Sequence, residues 1–361
     1  MTYDDYRATT RFPALDGLRG IAAAMVIIFH YGGERWGWLS GWIGVHIFFV
    51  LSGFLITTLA LREEQRRGRL SLGNFYIRRS LRILPVYFVV LALVVGVAWL
   101  RGEWESSGLA PLMPYYLTFN GEFVGPGQPH GHVWTLGVEQ KFYLVWPLLA
   151  FAVVFASRVR LGVSVALLVL LLALCPVHNA FISYVPIVAG CLLAVVLHTR
   201  TGFDALAVLM RPATATFVAL VFIVIHLAVV EAVAWFGSDG PVILLYSVPV
   251  VVLVTSLLGT GPTVWILSTK PMTFLGDRSY SLYLVQGLAG VIAASVVPRF
   301  GVLSSSTALA VLVTSLLLAD LLYRGVEKPF IGLGRTWTSH RGVACREPEQ
   351  LGRSVPAKIG S

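Results

Sequence analysis

Charge is what this sequence has least of. Only 12% of its 361 residues are Asp, Glu, Lys or Arg, about half the share of an ordinary soluble chain, which excludes a pair of soluble domains. Cysteine is scarce as well, with three residues in all. Cys175 and Cys191 lie in apolar runs and Cys345 near the polar C-terminus, so there is neither a disulfide framework nor a metal-ligand spacing of the CxxC kind. They read as packing residues, and no metal site is expected. A charged region, short apolar core and small-residue cleavage site are lacking at the start, where residues 1–11 are polar and of mixed charge. No cleaved signal peptide is expected, and the first apolar run serves as the insertion signal.

What fills the chain is apolar surface: 57% hydrophobic residues and a mean hydropathy of +0.78. Predominantly apolar runs of about 18 residues or more, enough to cross ~30 Å of hydrocarbon as helix, give candidate spans at roughly 16–33, 41–61, 83–100, 138–157, 161–178, 182–199, 213–234, 241–259, 274–297 and 303–323. The expectation is an all-α integral membrane protein, a bundle of about ten transmembrane helices. A break at Gly259, Gly261 and Pro262 allows a short re-entrant or interfacial piece after the eighth.

The net charge of +9 would suit a nucleic-acid partner in a soluble protein. Here the basic residues sit between spans, where topology accounts for them, and no nucleic acid is expected. Of 27 Lys and Arg, only Arg35, Arg101, Lys141 and Arg299 fall on one side of the alternating loops. The side holding the rest is therefore cytoplasmic, and both termini lie there. Residues 1–11 form a cytoplasmic N-terminal segment, 12–330 the transmembrane domain, and 331–361, rich in Gly, Ser, Arg and Pro, a disordered cytoplasmic tail. A bacterial inner membrane is the working location. The longest outer loop, 101–133, is rich in Gly, Pro and aromatics and suits a substrate-facing lid.

Ionisable residues inside spans cost a few kcal/mol and usually face a cavity or pathway. His30, His46 and Glu139 share a depth near the outer ends of spans one, two and four; His226 and Asp320 come later. A histidine and a carboxylate that orients it are the minimum for taking a proton from a hydroxyl. His30 is the first candidate. His226, alone in an apolar run, reads as a neutral residue bonded to a neighbouring helix; for His46 both readings stand.

The loop LREEQRRGRLSLGNFYIRRSLRILP holds seven arginines. One reading is a grip on anionic lipid headgroups. Another is a phosphate site: Arg78, Arg79 and Arg82 run directly into span three, and Arg79 and Arg82 share a face if the helix starts early. A cytosolic donor carrying several phosphates would suit it.

The segments FPALDGLRGIAAAMVIIFHY (12–31), GWIGVHIFFVLSGFLIT (41–57), FYIRRSLRILPVY (75–87), VWTLGVEQKFYLVWPLL (133–149) and RSYSLYLVQ (278–286) resemble, in order and spacing, the signature blocks of the membrane acyltransferase-3 family. The resemblance implies a ten-helix domain over 12–330 that moves an acyl group, commonly acetyl from acetyl-CoA as co-substrate, onto a hydroxyl of a carbohydrate. The acceptor would be a cell-envelope polysaccharide, a lipid-linked sugar, or a glycosylated natural product such as a macrolide. His30 falls on the family's catalytic histidine, Arg79 and Arg82 on its donor-handling RxxR pair with Arg78 beside them, and Glu139 on the glutamate of its W(S/T)LxVE block. Asp16 and Arg19 match DGLRG, as an ion pair at the helix start or as donor contacts. Trp134 and Thr135 are candidate oxyanion donors, Trp134 equally an interfacial anchor. Two positions depart: His46 stands where the family often has an acid, and Gln286 where it usually has histidine. Some members carry a C-terminal esterase-like domain; this chain is expected to work as a lone membrane domain or with a separate partner. Hydropathy alone also admits a transporter or flippase, although no repeated halves are visible; consumption of acyl-CoA by membranes separates the two.

Overall fold

The structure is a computed structural model that describes residues 1–124, 127–153 and 157–344, and among these every regular element is helical. The short α1 (Tyr3–Ala8) starts at a reciprocal cap in which the Thr2 hydroxyl accepts from the Asp5 N–H and the Asp5 carboxylate from the Thr2 N–H. There follow α2 (Pro13–Tyr31), α3 (Gly44–Arg67), α4 (Leu72–Leu100), α5 (Met113–Leu117), α6 (Trp134–Pro147), α7 (Ser157–Leu174) and α8 (Tyr184–Leu197). The second half holds α9 (Arg200–Leu206), α10 (Pro212–Leu227), α11 (Val229–Phe236), α12 (Asp239–Ser256), α13 (Pro262–Leu267), α14 (Lys270–Val296), α15 (Ser305–Leu322) and α16 (Lys328–Ala344).

Among the described residues seven helices are long and apolar enough to cross a membrane, or eight if α9 and α10, bent by 75° at Arg211, make one span. The protein is a multi-pass membrane protein. Each of the ten expected runs falls on helix, and the shortfall has local causes. α6 carries Glu139, Gln140 and Lys141 and passes into a π turn at Leu148–Val153, with 154–156 outside the described residues. The apolar part of α7 is only Val159–Leu174, and α10 gives way to α11 at Ala228. Span three begins eleven residues before 83, at Leu72, so the arginine cluster is helical. The piece expected after span eight is α13, whose Leu267 carbonyl lies against Gly17 of α2.

The disordered tail from 331 requires correction. α15 continues through a π turn, Tyr323–Glu327, into α16, which packs along α4. Pro329 lies in the first turn of α16, where the register has just changed and its missing N–H and fixed φ suit a helix start. Phe330, Ile331, Leu333 and Trp337 give this polar-looking stretch an apolar side. Residues 345–361, with Cys345, lie outside the described residues; Cys175 and Cys191 are buried.

Two helix pairs form the frame. α3 and α8 cross where Gly53 meets Gly190: a Cβ on Gly53 would stand 1.9 Å from the Ile187 carbonyl oxygen, and one on Gly190 2.1 Å from that of Val50. Only glycine permits backbones this close, the usual device of helix association without a hydrophobic drive. α2 packs on α14 in the same intimate way. Between these pairs, α4 and α6 close the space that holds the polar residues.

Candidate active site

Three cavities follow one another along α3. The first, about 1060 Å³, is lined by His30, Trp42, His46, His132, Trp134 and Tyr283 among others. The second, about 50 Å³, has Arg19, Ser52, Arg79, Arg82, Glu139 and Tyr143 in its wall. The third, about 510 Å³, is bounded by Glu63, Arg66, Arg67, Arg78, Arg79, Arg82 and Arg335. Val45 and Tyr283 line both the first and second; Arg79 and Arg82 line both the second and third. At 1.5 Å rise per residue, His46, Ser52 and Glu63 of α3 lie roughly 9 and 16 Å apart in turn, so the series extends about 25 Å along the helix.

In the first cavity His30, exposed at the C-terminal end of α2, has its Nδ1 3.1 Å from the Oε1 of Gln286, a buried residue of α14. The Gln286 Nε2 donates to the Tyr283 carbonyl at 3.1 Å, which assigns the amide: flipping it would set two carbonyl oxygens face to face. Oε1 is thus an acceptor, Nδ1 of His30 carries the proton, and Nε2 keeps its lone pair. Tyr31 donates to the Gln286 carbonyl at 3.0 Å, holding the same turn of α14. The orienting partner of His30 is this neutral amide rather than Glu139.

His132 enters the cavity from the outer loop, with Nε2 3.3 Å from the Leu284 carbonyl and its ring edge-on to Tyr283. Tyr283 donates to the His132 carbonyl and accepts from Thr135 at 3.0 Å. The Thr135 proton is therefore committed, and Thr135 is not a free oxyanion donor. Burial holds His132 well below the ordinary histidine pKa and takes His130 down to about 4, so both are neutral near pH 7. The loop expected to be a lid thus contributes a wall residue. His46, 2% exposed, stands edge-on to Trp42 and Phe49, and neither ring nitrogen has a hydrogen-bond partner among the described residues.

Glu139 occupies the second cavity, where Ser52 donates to its Oε1 at 2.5 Å. One turn on along α6, the ring of Tyr143 carries the Arg79 guanidinium at 3.9 Å from its centroid. Arg82 and Arg19 both feel Glu327, a buried carboxylate on the π turn that accepts from Ser281 at 2.8 Å. In the third cavity Arg78 is tied to Glu63 at 2.5 Å. Asp16 does not face this series: it takes Arg11 at 2.7 Å, and Arg11 also reaches Asp277 at 2.6 Å, which joins the starts of α2 and α14. Trp134 lines the first cavity beside Phe49. His226 is a satisfied core residue, between the Tyr246 hydroxyl and the Leu39 carbonyl at 2.8 Å each, and Asp320 pairs with Arg278 and Arg324.

Residues 12–324 match the model of the acyltransferase-3 family, described as an acyltransferase domain. The chain belongs to that family. It is similar to the peptidoglycan O-acetyltransferase OatA of Listeria monocytogenes, 29% identical over 77% of this chain and 50% of that one. It is also similar to the putative peptidoglycan O-acetyltransferase YrhL of Bacillus subtilis, 30% identical over 96% and 59%. A putative O-acetyltransferase of Staphylococcus aureus is 26% identical over 78% and 51%. The chain spans between half and three fifths of the length of these relatives. No solved structure matches it.

Within this acyltransferase-3 domain sequence reasoning missed Ser52, Tyr143, His132 and Tyr283, and beyond its matched residues Glu327 and Arg335. Ser52 and Tyr143 sit inside two of the resembling blocks, and Gln286 stood out only as a departure. For Glu327 no local signal exists beyond a carboxylate beside an apolar run.

Proposed function

We propose that this chain is an O-acyltransferase that moves an acetyl group from acetyl-CoA to a hydroxyl of a cell-envelope glycan of the peptidoglycan kind. The observation that carries the reading is the unbroken sharing of wall residues from a cavity rich in arginine to the one holding His30. With both termini cytoplasmic, as the basic loops favour, the arginine mouth faces the cytosol and the histidine cavity the outer side. The phosphates of acetyl-CoA dock at Arg78, Arg79 and Arg82, and its arm passes Glu139 to bring the thioester to His30. The relatives' names support acetyl as the group and a glycan as the acceptor.

His30 acts as general base. Its Nε2 takes the proton of the acceptor hydroxyl as that oxygen attacks the thioester carbonyl; the C–S bond breaks, and the CoA thiolate leaves with the proton returned by the imidazolium. Gln286 keeps the proton on Nδ1, so that Nε2 is the basic nitrogen. Trp134 and Trp42 offer flat apolar faces to a sugar in the first cavity.

The test uses purified protein in nanodiscs with radiolabelled acetyl-CoA and soluble peptidoglycan fragments. Wild type is expected to give a base-labile labelled ester, and His30→Ala to reduce it by ~10²–10⁴-fold. No labelled ester from folded wild type, or full turnover by His30→Ala, overturns the reading.

A further inference from the structure

We propose that α16 completes the donor mouth and that Arg335 receives the phosphate at the far end of the CoA nucleotide, its 3′-phosphate. The inference rests on the acyl-CoA reading above and adds a subsite outside the residues that match the family domain, which end at 324.

Close packing brings α16 to the mouth. A Cβ on Gly334 would lie 3.4 Å from Leu81 Cδ1 and 3.6 Å from the Arg78 Cα, so α16 touches the very turn of α4 that carries the arginines. Arg335 is the next residue, and with Ile331 it lines the third cavity opposite Glu63, Arg66 and Arg67. Its side chain is exposed and free to meet a ligand.

The charges of the mouth are unbalanced. Six arginines line it against one carboxylate, Glu63, which is taken up by Arg78 at 2.5 Å and Arg67 at 3.7 Å. Among the described residues no carboxylate lies within ion-pair distance of Arg79, Arg82 or Arg335. Moreover, the Arg79 Nε is buried with no hydrogen-bond partner among the described residues, an unspent donor inside the cavity series. Such an excess of guanidinium suits an anion with several phosphate groups.

Order along the path assigns the groups. Arg79 and Arg82 line the second cavity as well as the third, so they meet the diphosphate, which is bonded to the arm. Arg335 lines only the third and meets what lies beyond the diphosphate. In CoA that is the ribose with its 3′-phosphomonoester, carrying about −1.5 to −2 charges near pH 7. A phospholipid headgroup offers the same chemistry, and the test separates them.

Binding of CoA and of 3′-dephospho-CoA is measured on protein in nanodiscs of neutral phosphatidylcholine, for wild type, Arg335→Ala and Arg335→Lys. Arg335→Ala is expected to raise the Kd for CoA roughly tenfold, the scale of one exposed charge-assisted contact, and to leave the Kd for 3′-dephospho-CoA unchanged; Arg335→Lys restores part of the loss. An unchanged Kd for CoA, or equal losses for both ligands, overturns the inference. So does a loss that appears only when anionic lipid replaces phosphatidylcholine, which assigns Arg335 to headgroups. If wild type binds neither ligand, the donor reading itself fails; if Arg79→Ala/Arg82→Ala weakens CoA while Arg335→Ala does not, only the α16 subsite fails.

Discussion

The two ends of the cavity series are built on opposite electrostatic rules. At the mouth, guanidiniums from the C-terminal turn of α3, the first turns of α4 and the middle of α16 outnumber carboxylates and remain partly open to water. At the other end, His30 leans on an amide, His132 on a backbone carbonyl, and His46 on the aromatic rings of Trp42 and Phe49, with no hydrogen bond among the described residues. The first arrangement attracts an anion with long-range, salt-sensitive force. The second exerts little net charge and works by geometry, fixing which nitrogen holds a proton. On the proposed reading, a single chain thus separates holding a charged donor from activating a neutral hydroxyl.

Substitutions at the two ends should therefore fail in different ways. The largest effect is expected from setting His30→Ala beside Arg79→Ala/Arg82→Ala. The first should abolish transfer with CoA affinity retained, and the second should raise the Kd for CoA by ~10–100-fold and flatten its dependence on salt. Loss of CoA binding in His30→Ala, measured in nanodiscs, breaks the comparison. Next, Gln286→Ala releases Nδ1 of His30, and kcat should fall roughly tenfold with the CoA Kd unmoved, on the scale of one lost orienting bond. An equal change in both quantities would mean that Gln286 supports the fold and not the tautomer.

A smaller effect is expected at His46. His46→Phe replaces two unpartnered nitrogens by an apolar ring, which should leave thermal stability equal or raised, while the KM for the glycan increases a few-fold. A marked loss of stability would show that those nitrogens are satisfied. The smallest concerns pH. His130 titrates near 4 when folded and near 6.5 when unfolded, so the unfolded loop binds the proton first as pH falls. Stability from this group is complete above about 6.5 and is lost progressively towards 4. Proteolysis of the 101–133 loop should accelerate from pH 7 to pH 5 in wild type and less so in His130→Phe.

Most of the bundle was legible in the sequence because a membrane demands long uncharged helices, and hydropathy reads those directly. α16 was not, since its Gly, Ser, Thr and Arg content mimics a tail, and its support comes from α4, more than two hundred residues away in sequence. Within the site, His30, Arg79 and Arg82 were visible as costly residues in recognisable blocks. The partner of His30 was not. Glu139 looked apt by charge and depth, yet its oxygen faces Ser52 in a different cavity. The neutral Gln286 gives no electrostatic signal; only the helix contact between α2 and α14 brings it to the ring. For Asp16 the structure has the first of the two readings, an ion pair at the helix start, with Arg11 from just before the span as its partner.

The most direct test of a path joining both ends is transfer in sealed inside-out vesicles, with soluble peptidoglycan fragments trapped in the lumen and radiolabelled acetyl-CoA outside. The account predicts base-labile label on the lumenal fragments, absent with His30→Ala. Label confined to fragments added outside, with the lumen unlabelled, would contradict it.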